Sequence, residues 1–225
     1  MGDGSAFGAS AAFIDQPAPL GLAHAVKTAQ PFIGTDRFVL FLGDNFIREG
    51  VSRFIQEFES SSANAMILLF QVPNPQSFGV AEIADGRVQR VVEKPSEPKT
   101  DLAIVGLYMF DHHVFEAADS IKPSARGELE ITDAIQWLVD QGLDVQARVV
   151  DGYWIDTGKQ SDMLEANRLV LETLETRIDG EVDPSSTIHG RVVIEKGARI
   201  HNSVIRGPAI IGEGTEVTDS YVGPF

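Results

Sequence analysis

The chain has 225 residues, 43% of them apolar and 23% charged, a composition that fits a folded protein of one or two domains with a sizeable core. A formal charge of −15, from 18 basic against 33 acidic residues, argues against nucleic acid or an anionic membrane as partner, and no window approaches the ~18 consecutive apolar residues of a membrane helix. Zero cysteines exclude disulfides, thiolate nucleophiles and cysteine-ligated zinc; the opening MGDGSAFGAS has neither a basic start nor an apolar run, so the expected compartment is the cytoplasm and the expected partners are small ligands.

In chain order, residues 21–33 place Leu22, Ala25, Val26 and Ala29 at helical spacing. The run FVLFL in residues 37–42 reads as a strand buried on both faces of a parallel sheet. Val51, Phe54, Ile55 and Phe58 give an amphipathic helix, and residues 66–72 the next strand. Residues 79–92, GVAEIADGRVQRVV, read as two strands around an Asp85-Gly86 type I′ turn, an antiparallel hairpin laid over the sheet. Residues 102–110 form a strand, 131–141 a helix closed by Gly142, and 144–150 another strand. Ser161 is expected to cap a last helix that buries Leu164, Leu171 and Leu174. The alternation predicts an α/β, Rossmann-like layered sheet.

After Gly180 the period changes. Val182, Ile188, Ile194 and Ile200 recur every six residues, as do Ile205, Ile211 and Val217 after one step of five. Short strands separated by glycine- and asparagine-containing turns, with one aliphatic per face stacking inward, predict a hexapeptide parallel β-helix. The expected division is residues 1–178 for the α/β domain and 179–225 for the repeats, with the repeats cut short at Phe225.

Five segments carry groups suited to phosphate and sugar chemistry. Asp44, in Leu42-Gly43-Asp44-Asn45, follows a strand, where open α/β sheets bind ligands, although the same tetrapeptide makes an ordinary turn. Asp156, in Trp154-Ile155-Asp156-Thr157-Gly158, precedes a helix and is either a cap or a ligand; with Asp44 it gives the hard oxygen donors that Mg²⁺ prefers. Glu93-Lys94 before Pro95 pairs an acceptor for hydroxyls with a cation for phosphate, against the alternative of a surface ion pair before a turn. In Pro123-Ser124-Ala125-Arg126-Gly127-Glu128-Leu129-Glu130-Ile131-Thr132-Asp133, Arg126 offers a planar fork for phosphate; helix capping accounts for Glu128, Glu130 and Asp133. Gln16 and the backbone of Gly21, in a loop that feeds the first helix, suit the edge of a pyrimidine, and His24 is assigned no role.

Together and in this order, the loop of residues 16–25, LGDN, VVEKP, PSARGELEITD and WIDTG resemble sugar-1-phosphate nucleotidylyltransferases, most of all glucose-1-phosphate thymidylyltransferases of the long form that ends in a hexapeptide left-handed β-helix. The resemblance implies that Gln16 and Gly21 contact the nucleobase, that Asp44 and Asp156 hold Mg²⁺, that Gly79, Glu93 and Lys94 hold the sugar and its phosphate, and that Arg126 binds that phosphate. It implies transfer of a nucleotidyl group from dTTP or UTP to a sugar-1-phosphate, with Lys94, Arg126 and Mg²⁺ as the catalytic groups. The resemblance leaves a homo-oligomer open, since hexapeptide helices often lie at subunit contacts in this family.

One departure from the family pattern is plain: no Gly-x-Gly-Thr-Arg-like phosphate loop occurs in the sequence. The expectation is therefore an N-terminally shortened sheet and a chain inactive as a synthase by itself. The competing readings are a regulatory or sugar-phosphate-binding subunit and an enzyme with added acyl transfer in the repeats, for which His189 and His201 are the only repeat histidines.

Overall fold

The computed structural model describes residues 2–225. The chain divides into two compact units, Met1–Trp154 and Ile155–Phe225. The first contains α1 (Leu22–Ile33), β1 (Phe38–Phe41), β2 (Asn45–Ile47), α2 (Ser52–Ser60), β3 (Ala65–Gln71), β4 (Gly79–Ala84), β5 (Arg87–Glu93), β6 (Leu102–Phe110), α3 (His113–Ser120), α4 (Ile131–Asp140) and β7 (Val145–Val149). Strand β8 (Trp154–Asp156) runs across the division. The architecture of the first unit is mixed α/β.

Side-chain alternation on β3 and β6 organises the first unit. Ala65, Ile67 and Leu69 point into one core and Met66 and Leu68 into another, as strand period two demands. Ile104, Tyr108 and Phe110 join the first core beneath α1, α3 and α4; Val105, Leu107 and Met109 join the second, with Phe54 and Phe58 of α2 and with Trp154. A strand buried on both faces needs the continuous apolar run that β3 and β6 carry.

Two sequence expectations change here. The sheet runs β1-β6-β3-β7-β5-β4, and β1 is an antiparallel neighbour of β6 rather than a strand inside a parallel sheet. With one face covered, β1 alternates: Phe38 and Leu40 pack on the core, while Val39 and Phe41 are exposed. The only parallel pair in this sheet, among the described residues, is β3 with β7. The hairpin does turn at Asp85-Gly86, both at positive φ (50° and 74°), as a type I′ turn requires. It is not laid over the sheet but laced into it, since Val80 pairs with Ala103 of β6 and Arg87 with Gln146 of β7. The sequence reading also passed over α3, whose Val114, Phe115, Ala117 and Ala118 are buried.

The second unit begins with α5 (Gln160–Leu171). Ser161 lies inside this helix and donates to Asp162 Oδ1 at 3.2 Å instead of capping it; the capping position is Lys159. Leu164 is 71% exposed, because only the last turn of α5 faces an interior, through Leu169 and Leu171. Then come β9 (Arg177–Ile178), β10 (Glu181–Val182), β11 (Thr187–His189), β12 (Val192–Ile194), β13 (Arg199–His201), β14 (Val204–Arg206), β15 (Ala209–Ile211), β16 (Glu216–Thr218) and β17 (Tyr221–Val222). They visit three parallel three-stranded sheets in rotation: β9, β12 and β15; β10, β13 and β16; β11, β14 and β17. The six-residue aliphatics are the interior: Ile194, Ile200 and Ile205 are fully buried, Ile211 nearly so, and Val182, Ile188 and Val217 pack against them. At one corner the coils are laddered, Ser203 N–H donating to Ser186 Oγ at 3.1 Å and Ser220 N–H to Ser203 Oγ at 3.0 Å.

Candidate active site

Asp44 sits in an exposed turn whose shape is set by its neighbour. Asn45 Oδ1 accepts from Gly106 N–H at 2.9 Å and from Trp154 Nε1 at 2.7 Å, and Leu42 N–H donates to Gly106 O at 2.8 Å. A Cβ on Gly106 would lie 2.5 Å from the Asn45 amide, so glycine at this point of β6 makes the room that Asn45 fills. Asn45 Nδ2 in turn donates to Asp44 Oδ1 at 2.9 Å. The motif is thus a clamp that joins β6 and Trp154 and presents the Asp44 carboxylate beside it.

The Glu93-Lys94 and Arg126 segments, remote in sequence, meet in a cleft of about 630 Å³ lined by Val92, Glu93, Lys94, Ser124, Arg126 and Asp133 among others. Glu93 Oε2 accepts from Thr132 Oγ1 at 3.1 Å, and Glu93 Oε1 lies 3.1 Å from Arg126 Nη2 and 3.8 Å from Lys94 Nζ. Gly79, opposite Glu93 in the hairpin, leaves the space for this: a Cβ there would come 2.7 Å from Thr132 Cγ2 and 3.1 Å from Glu93 Oε2. Lys94 has φ 40°, a strained setting for a non-glycine residue of the kind that clusters at ligand sites.

Arg126 is the centre of the charge pattern. Its Nη2 donates to both oxygens of Glu130 at 2.9 Å, its Nε to Oε1 at 3.2 Å, and Glu128 Oε2 lies 3.6 Å away. The Glu130 hydrogen bond, ahead of the charges of Glu93 and Glu128, holds the guanidinium above its already high pKa. Glu130 is 6% exposed and stands at the start of α4, but it makes no side-chain cap; its carboxylate is turned to Arg126 and to Ser124 Oγ at 2.7 Å. Capping therefore does not account for Glu130, nor for Glu128. Burial, and then the charge of Glu130, push the Asp133 carboxyl up.

The loop of Gln16 and Gly21 is sewn to the Arg126 loop by backbone. Leu129 N–H donates to Leu20 O at 2.7 Å and Ala23 N–H to Leu129 O at 3.1 Å. Gly21, at φ 101°, would place a Cβ 2.5 Å from Leu129 O, so only glycine passes this seam. The Gln16 amide nitrogen donates to Gly21 O at 3.3 Å and lies 2.9 Å from His24 Nδ1. His24 thus orients Gln16, a task its lone place on an apolar-faced helix did not disclose.

In the first unit Glu93, Lys94 and Arg126 therefore line one cleft, Gly79 stands opposite Glu93 in the hairpin, and the loop of Gln16 and Gly21 is bonded to Leu129, the residue before Glu130 of that cleft. The buried Tyr108 phenol, pushed up by burial and then by the negative charges of Glu93 and Asp44, lies within the field of both acids. Asp156 belongs to the second unit, where its Oδ1 accepts from Gly158 N–H at 3.1 Å. Sequence reasoning missed Asn45, Thr132 and His24 as positioning residues; adjacency to Asp44 was the one available signal for Asn45. No described helix is long and apolar enough to cross a membrane.

The pattern of the nucleotidyl transferase family matches residues 1–173. The chain is 54% identical over 226 residues to the glucose-1-phosphate thymidylyltransferase of Streptomyces griseus, covering 100% of this chain and 64% of that protein. It is equally 54% identical, over 227 residues, to the protein of that name from Streptomyces antibioticus, again covering 100% of this chain and 64% of the relative. A solved structure from Bacillus anthracis, described as a glucose-1-phosphate thymidylyltransferase in complex with a sucrose, superposes with a TM-score of 0.68 at 38% identity, covering 75% of this chain and 68% of that one. The chain thus spans 64% of the length of the curated relatives it matches. A match over most of the chain, together with the converging glutamate, lysine and arginine, establishes that it belongs to the nucleotidyl transferase family, a family of enzymes.

Proposed function

We propose that the protein transfers a nucleotidyl group from dTTP or UTP to a sugar-1-phosphate, with glucose-1-phosphate as the preferred acceptor, and that its 225 residues alone, which carry no Gly-rich phosphate loop, do so only when such a loop is supplied. The observation that carries this reading is the meeting of Glu93, Lys94 and Arg126 around one cleft, an acceptor for sugar hydroxyls beside two cations for phosphate. A phosphate oxygen of the acceptor attacks the α-phosphorus of the triphosphate, a new P–O bond forms, the bond to the β-phosphate bridge breaks, and pyrophosphate leaves. No enzyme-bound covalent intermediate is required, because such transfers depend on positioning and charge neutralisation.

In this reading Lys94 and Arg126 neutralise the acceptor phosphate, Glu93 accepts from its hydroxyls, and Gly79 keeps the floor of the sugar site open. Arg126 enters the reaction already oriented by Glu130, so ligand phosphate displaces the weaker contacts to Glu93 and Glu128 rather than the paired bonds to Glu130. Gln16 and Gly21 read the pyrimidine edge. Asp44 and Asp156 each offer carboxylate oxygens of the hard type that suits Mg²⁺; when bound, Mg²⁺ would supply charge neutralisation at the triphosphate. We read the three rotating sheets of the second unit as a left-handed β-helix of hexapeptide repeats, and a homo-oligomer as the working state.

The test is pyrophosphate release, with dTTP and UTP against a panel of sugar-1-phosphates, by the protein with and without an added Gly-rich phosphate loop. Release with glucose-1-phosphate that falls on substitution of Arg126 supports the assignment. Absence of release with every pair, or release indifferent to Arg126→Ala, sinks it.

A further inference from the structure

A second cluster of ligand-type side chains lies apart from the cleft. Asp111 follows β6, and His112 and His113 open α3; none of the three lines the cleft. Candidate ligand atoms of the three residues all lie within 4.8 Å of one another. His113 Nδ1 is 2.9 Å from Asp111 Oδ1 and 3.0 Å from Oδ2, and the rings of His112 and His113 are 4.2 Å apart between centroids. His112 is exposed, whereas Asp111 and His113 are half-buried.

We propose that Asp111, His112 and His113 form a binding site for a borderline divalent transition ion such as Zn²⁺ or Co²⁺. The first argument is distance. Two ligands about 2.1 Å from one metal in a tetrahedral array lie about 3.4 Å apart, and His113 Nδ1 already stands 2.9 and 3.0 Å from the two oxygens of the Asp111 carboxylate, within about half an ångström of that separation. An ion can take the place of the proton between them with little movement of either residue. His112, on the solvent side, completes a third ligand by a rotamer change, the kind of motion an exposed side chain makes freely.

The second argument is preorganisation. Asp111 is not a loose surface acid: its Oδ2 accepts from Asn64 Nδ2 at 2.8 Å, its backbone N–H donates to Asn64 O at 2.9 Å, and Asn64 Oδ1 accepts from Asp144 N–H at 3.0 Å. Asn64 thus ties the carboxylate to the starts of β3 and β7, and a carboxylate held from behind is the usual support of a metal site. The third argument is ligand type. Two imidazoles with one carboxylate favour zinc, cobalt or nickel over magnesium, which selects all-oxygen ligands. The site is therefore chemically distinct from the one assigned to Asp44 and Asp156. A bound ion would pin the first turn of α3 to the end of β6.

The experiment is calorimetric titration of the full chain with Zn²⁺ in buffer containing millimolar Mg²⁺ to occupy hard oxygen sites, repeated on His112→Ala and on the double variant His112→Ala/His113→Ala. The thermal midpoint of each protein is recorded with and without Zn²⁺. The expected result is one Zn²⁺ bound by the natural chain, affinity lower by at least about 10-fold in each variant, and a zinc-dependent rise in midpoint that the double variant lacks. His112→Ala should keep the metal-free midpoint of the natural chain to within a few degrees, since that ring is exposed, while the double variant, which also removes the half-buried partner of Asp111, is judged by its midpoint with Zn²⁺ against its own without. Zinc binding of equal strength in the natural chain and the double variant, or no zinc binding by the natural chain, overturns the proposal.

Discussion

The cleft of the first unit and the repeats of the second settle their acidic groups in opposite ways. In the second, acids find local partners: Asp179 pairs with Arg177, and Asp183 accepts from Ser185, Ser186 and the backbone of Asn202, while Asn202 Nδ2 donates to Asp219. In the first, Glu93, Glu128 and Glu130 converge on the single guanidinium of Arg126. The repeats therefore use charge and hydroxyls to complete a regular scaffold, whereas the cleft holds more acceptors than its arginine can satisfy equally. Such an imbalance is useful at a site that must exchange internal contacts for a ligand's, and has no use in a ladder.

The largest expected effect tests the scaffold half of this contrast. Ile200→Ala, at a fully buried position in the repeats, should cost about 2–5 kcal/mol of stability in that unit, read by chemical denaturation. Sugar-phosphate binding in the first unit should be unchanged, and a matching loss of binding would erase the distinction between the units. Next is Arg126→Ala, which should weaken glucose-1-phosphate binding by about 100-fold, with Arg126→Lys recovering only part of the loss because lysine lacks the planar fork. Calorimetry with the sugar phosphate reads both variants.

Gly106→Ala comes third. The added Cβ would meet the Asn45 amide and should cost about 1–3 kcal/mol by overpacking, while shifting the indole resonance of Trp154 as its hydrogen bond is displaced. An unchanged indole signal would show that the clamp on Asp44 lies elsewhere. The smallest effect is acid sensitivity of the repeats. Hydrogen bonds from Ser186, then Ser185 and the Asn202 backbone, hold Asp183 down to about 2, below its unfolded value, so its contribution is complete above pH ~4 and is lost as pH falls toward 2. Asp183→Asn should flatten this part of the acid unfolding profile, followed by circular dichroism; an unaltered profile would mean that the ladder does not depend on the charge.

What could be read in advance was decided by periodicity. The six-residue steps from Ile194 to Ile200 and, after one step of five, from Ile205 to Ile211 all lead to buried positions, because each aliphatic has one inward destination regardless of the rest of the chain. The apolar runs of β3 and β6 were equally legible. FVLFL misled because a short run of five looks the same whether its strand is flanked on both sides or on one, and only pairing with β6 reveals Val39 and Phe41 as exposed. Leu164 misled in the same way, since helical spacing marks a face without saying how much of the helix is covered. At the site, Glu93, Lys94 and Arg126 were legible as residue types suited to phosphate, but Thr132, Glu130 and His24 act through contacts made only after folding, which no local spacing encodes.

The seam at Leu129 carries one more implication. Because a single residue's amide and carbonyl fasten the Gln16 strand of chain to the stretch bearing Arg126, the two cannot drift independently. An insertion of one residue on either side would misregister both together, so natural or engineered changes in length here should be found only as compensated pairs, and tightening one loop by ligand should lower the entropic cost of ordering the other.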